Sequence, residues 1–152
     1  MRGYYAPLVA GAALAVSAFL PRVRLGDQAV GGVPSAAALW SLSLGLVAML
    51  LASLSLITRK NSRHPLLLVG LIALAIEFLG WQWTQHAVDE QAWASEHAAA
   101  IVAGRAPIDP DPATPHPALY VGLAAAAIIT GFGLTIVVKQ AAKPYAAPQD
   151  DF

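Results

Sequence analysis

The chain has 152 residues, enough for one domain, and 57% of them are apolar while 12% are charged. Soluble domains hold roughly half apolar and a quarter charged residues, so both values move the chain toward the membrane class. Nine Lys and Arg balance nine Asp and Glu without a basic block, which leaves no nucleic-acid footprint, and the lack of cysteine excludes disulfides, thiolate metal sites and cysteine nucleophiles.

The first apolar segment covers about residues 4–21. Roughly 20 apolar residues cross a bilayer, and about 17 is near the lower limit. Val16-Ser17-Ala18 has the small-residue look of a signal cleavage site, but Arg2 alone makes a weak basic leader, which favours a retained helix. Pro7 falls in the first turn, where a missing N–H does no harm, and Pro21 is expected to end the helix. Val23-Arg24-Leu25 and Gln28-Ala29-Val30 alternate around Gly26-Asp27, the pattern of a short hairpin in the first outer loop with Gly26 at positive φ.

The second span is 36–57, with Ser35 as its N-cap. Ser41, Gly45, Ala48, Ala52 and Ser55 recur at spacings of three and four, a small-residue stripe suited to close helix packing in lipid. Leu44, Leu46, Leu50, Leu51 and Leu54 are expected on the face toward acyl chains. The basic turn Thr58–His64 then allows only an antiparallel neighbour.

The third span, 65–84, contains Glu77 in an otherwise apolar run. A helical continuation is predicted to about Ala103 with Gly104 as C-cap, and five prolines between Ala106 and Pro117 predict an extended segment. Residues 85–117 thus form the larger outer loop. The fourth span, 118–138, again carries Gly122, Ala126 and Thr130 at spacing four, and 144–152 reads as a mobile tail. The fold class expected is all-α, an integral membrane four-helix antiparallel bundle within residues 1–143. Arg2, Arg59, Lys60, Arg63, Lys139 and Lys143 on one side outnumber Arg22, Arg24 and Arg105 on the other, which places both termini in the cytoplasm.

Glu77 is the sharpest chemical feature. It shares a helical face with Gly70, Ala73, Gly80, Trp81 and Thr84, so it should point at other helices. No second charge occurs within the apolar spans to pair with it. Its roles are then a proton-carrying or ligand-pairing carboxylate or, the favoured reading, a protonated group bonded to serines of the second span. Trp40, Trp81, Trp83 and Tyr120 read as an interfacial aromatic belt. His86 and Glu90, at i and i+4, would need His116 to fold back before they made a metal site, so a solvated helix face is the default. No catalytic residue and no cofactor is expected, since no nucleophile elbow, phosphate loop or dinucleotide fingerprint occurs.

The text FLPRVRLG closing the first span, the pair Gly31-Gly32, the turn TRKNSR and the stretch ALYVGLAAAAIITGFG resemble small bacterial four-span proteins of the tryptophan-operon-associated transmembrane type. That resemblance implies a bacterial cytoplasmic membrane and carries no catalytic residues across. The sequence thus points to a non-enzymatic accessory or scaffolding subunit, with the bilayer and other membrane subunits as partners. The rivals are a small transporter using Glu77 and a membrane enzyme with an outer metal at His86, Glu90 and His116.

Overall fold

The computed structural model describes residues 2–58 and 62–141. The expected tail at 144–152 and the middle of the basic turn, 59–61, lie outside them. A single 3-10 turn, Arg2–Tyr4, leads into α1, Tyr5–Ser17. Strands β1, Val23–Leu25, and β2, Gln28–Val30, follow, then α2, Ala36–Thr58. Next come α3, Arg63–Ala103, β3, Thr114–Pro115, and α4, Pro117–Ala141. The described chain is mostly helical with one small sheet, and α2, α3 and residues Pro117–Thr135 of α4 are long and apolar enough to cross a membrane.

The first helix departs from its predicted length. It has 13 residues, about 20 Å at 1.5 Å per residue, and stops four residues before Pro21. Ser17 Oγ donates to the Leu14 carbonyl, and Phe19 and Leu20 N–H bond three residues back, so the chain tightens and turns away early. The expected span 4–21 is therefore corrected to a shorter helix followed by a folded-back connection.

Missing Cβ atoms set the helix packing. A Cβ on Gly11 would lie 2.9 Å from the Gly45 carbonyl, and one on Gly45 would lie 2.7 Å from the Ala15 nitrogen. One on Gly70 would lie 2.6 Å from the Thr130 nitrogen, and one on Gly133 would lie 2.5 Å from the Leu67 Cα. Sequence number rises on one helix as it falls on its neighbour along these seams, so α1 runs antiparallel to α2, and α3 to α4. Helices α1 and α4, and α2 and α3, also pack together. Ala10, Leu14, Leu44, Ala48, Leu66, Ala73, Ala126 and Ile129 fill the space between them. Leu44 is thus interior rather than on the outward face assigned from sequence, while Leu46, Leu50 and Leu54 are exposed.

The hairpin forms where the alternation predicts it, with Gly26 at φ 55° in the turn. Its third strand was not legible: Thr114–Pro115 from the proline-rich segment pairs antiparallel with β1, giving the order β2-β1-β3. An edge position suits proline, which has no N–H to give a further neighbour. Helix α3 runs unbroken for 41 residues, about 60 Å, and ends at Gly104 with φ 65°. The segment after it forms a strap back along α3. Arg105 pairs with Glu96 at 2.7 Å, Ile108 N–H donates to Glu96 at 3.4 Å, and Ala113 N–H donates to Asp89 at 2.6 Å. Gln85 Nε2 also donates to the Ala113 carbonyl at 2.7 Å. Val23, Val88 and Ala113 make a second, smaller core beneath the sheet.

Candidate functional site

The polar centre of the molecule lies where the sheet meets the helix ends. Glu77 is 1% exposed, and the residue opposite it is Arg22, 2% exposed. Arg22 Nη2 donates to Glu77 Oε1 at 3.0 Å, and Nη1 lies 2.9 Å from Oε2 with poorer alignment. Nη2 also donates to Ser41 Oγ at 2.9 Å, and Ser41 in turn donates to the Ala37 carbonyl. Arg22 Nε has no partner. One charge-assisted hydrogen bond and one close charge contact thus join the guanidinium to the carboxylate.

This overturns the expectation that Glu77 has no charged partner. Arg22 follows the first apolar segment in sequence and so reads as an outer-loop residue. Because α1 stops at Ser17, residues 18–22 lie over the helix ends and the guanidinium reaches inward. Where serines of the second span are expected to bond Glu77 directly, Ser41 instead accepts from the arginine between them. Gly122 makes room for the carboxyl: a Cβ there would lie 2.9 Å from Glu77 Oε2 and 3.0 Å from Ser17 Oγ.

The small residues singled out by spacing, Ser41, Gly45, Ala48, Ala52, Gly70, Gly80, Gly122 and Ala126, are all buried. They face the protein's own helices, so these stripes are not free docking surfaces. Trp40, Trp83 and Tyr120 are exposed. Trp81 differs from them, because four residues after Glu77 it shares that inward face. It meets Phe78 edge-on at 5.7 Å and packs on the Val23, Val88 and Ala113 cluster, with its Nε1 buried and unpartnered.

The structure does not assemble the metal set. His86 Nε2 lies 3.2 Å from Glu90 on an open face, both side chains more than two-thirds exposed. His116 is used elsewhere: its Nδ1 accepts from Ala118 N–H at the start of α4. Among the described residues no group of three or more His, Asp or Glu is placed to hold a metal. Farther along α3, Trp93 stacks on His97 with ring centres 3.8 Å apart. Asp89, Glu90 and Trp93 form one wall of an open groove of about 670 Å³, and Asp109, Pro110, Asp111 and Pro112 of the strap form the other. The Arg105 guanidinium, with the Ile108 N–H, holds the Glu96 carboxyl below its ordinary range, and Glu96 raises Arg105 in return.

Comparison with protein-family models, curated proteins and solved structures finds no match to this chain.

Proposed function

We propose that this chain is an integral membrane protein of four antiparallel spans, both termini cytoplasmic, acting as a non-enzymatic accessory or scaffolding subunit of a larger membrane assembly. The tryptophan-operon-associated type and a bacterial cytoplasmic membrane belong to the same proposal. Three long apolar helices and exposed Leu46, Leu50, Leu68 and Leu71 support lipid as the surrounding medium. The observation that carries the scaffolding role is the stalk. Residues 84–103 extend α3 about 30 Å beyond Trp83, and the strap is fastened to them through Glu96, Asp89 and Gln85. A helix and a bonded strap projecting from the spans suit the presentation of a fixed polar surface to another protein. The bonded Arg22–Glu77 pair favours this reading over proton carriage, which needs a carboxylate free to change partners.

Purification of the full chain in mild detergent tests the reading. A stoichiometric larger complex is expected, and substitutions across Asp89, Glu90, Asp109 and Asp111 should weaken it. A lone monomer at every detergent concentration would overturn the role, and a chain that stays in solution without detergent would overturn the membrane assignment.

A further inference from the structure

Arg22 bonds four separate elements at once. Its N–H donates to the Val30 carbonyl at the end of β2, and its carbonyl accepts from His116 N–H just before α4. Its side chain reaches Ser41 on α2 and Glu77 on α3. The sheet is otherwise seated by the small Val23, Val88 and Ala113 cluster and one bond from Val33 N–H to the Ala18 carbonyl, while the strap has its own bonds to Gln85, Asp89 and Glu96 of α3. The backbone is shaped around the arginine. Gly31 has φ 104°, and a Cβ there would lie 3.1 Å from the Arg22 nitrogen and Cβ.

From this convergence we propose that Arg22 is a latch between the outer cap, meaning the sheet and strap, and the helices. With the cap seated, the guanidinium neutralises Glu77. When the hairpin lifts, Arg22 leaves with it into water, the His116 bond breaks, and the strap loosens together with the sheet. Glu77 is fixed to α3 and cannot follow, so it stays among the helices as an unpaired carboxyl. Arginine suits this part, because it remains charged both when paired and in water.

The test uses the full chain in lipid nanodiscs with two readouts: coupling of Glu77 to dicyclohexylcarbodiimide, followed by mass spectrometry, and amide exchange of residues 105–116. In the native chain Glu77 should label slowly and the strap should be protected. Arg22→Gln should speed both at least ~10-fold, since the rate reports local opening, and the lower halves of α2 and α4 should change much less. Gly31→Ala keeps every charge and displaces only the loop, so it should speed both by a smaller factor. The latch is overturned if either variant labels Glu77 faster while the strap stays protected, if neither changes labelling, or if strap and helices lose protection by the same factor. A failure of the membrane assignment is seen separately, as solubility without detergent, and the strap's exchange still judges the latch.

Discussion

The two ends of the helix assembly are fastened by different means. At the end away from the sheet, backbone meets backbone: Gly70 lies against Thr130, and Gly133 against Leu67, at distances that leave no room for a methyl group. At the sheet end a long side chain from a loop reaches between the helices to Glu77. The first kind of contact has no means of giving way without moving a helix. The second depends on two charges and a turn, so it can be broken and remade. Close packing there gathers at Gly122, where a Cβ would meet the Glu77 carboxyl at 2.9 Å, and at Gly80, where a Cβ would meet Ala37 Cβ of α2 at 2.7 Å.

The largest effect should come from removing Arg22 and stranding the member of the charge pair that cannot leave. Arg22→Leu strands Glu77 and should cost about 3–5 kcal/mol in detergent unfolding, as loss of one partner of a buried pair does. Adding Glu77→Leu should restore most of that, and a double variant no better than Arg22→Leu would show that the charges are not the cause. At the opposite end, Gly70→Ala should cost about 1–3 kcal/mol by overpacking, because the obstacle is Thr130 backbone. No second substitution of charge should relieve it.

Tyr4→Phe probes the same end more gently. The Tyr4 hydroxyl accepts from Ser62 N–H at 3.2 Å, and its ring meets Phe132 edge-on at 4.9 Å. Removal of the hydroxyl alone should cost about 0.5–1.5 kcal/mol by the same unfolding assay. The smallest effect belongs to the strap. The Glu96 carboxyl is held below its ordinary range, so its contribution is present above its unfolded pKa and lost as pH falls through the lowered folded value. Amide protection at Ile108 should therefore fall in acid, and Glu96→Gln should remove that dependence.

Local features were legible and distant pairings were not. Ser35 capping Ala38, Gly26 in the hairpin turn and Gly104 closing α3 each depend on neighbours a few residues away. The inward direction of Glu77 follows from helical spacing alone. Its partner does not, because Arg22 is 55 residues away and sits in a stretch that reads as a polar loop. Two Pro residues misled in opposite ways. Pro21 reads as the end of α1, but Ser17 and the turn after it end the helix first. Pro115 lies in a segment that reads only as extended, yet it supplies the edge of a sheet. Trp81 reads both as an interfacial aromatic and as a member of the inward Glu77 face, and its packing on Val23, Val88 and Ala113 agrees with the second.

The charge pair bears on how the molecule would respond to a membrane voltage. A potential of 100 mV does about 2.3 kcal/mol of work on each elementary charge carried across it. A guanidinium and a carboxylate 2.9 Å apart at one depth sum to no charge, so the field finds nothing to drive while they stay together. If the proposed latch opened, the arginine would carry its charge away from the carboxyl, and the protein would gain an electrical sensitivity that its closed form lacks.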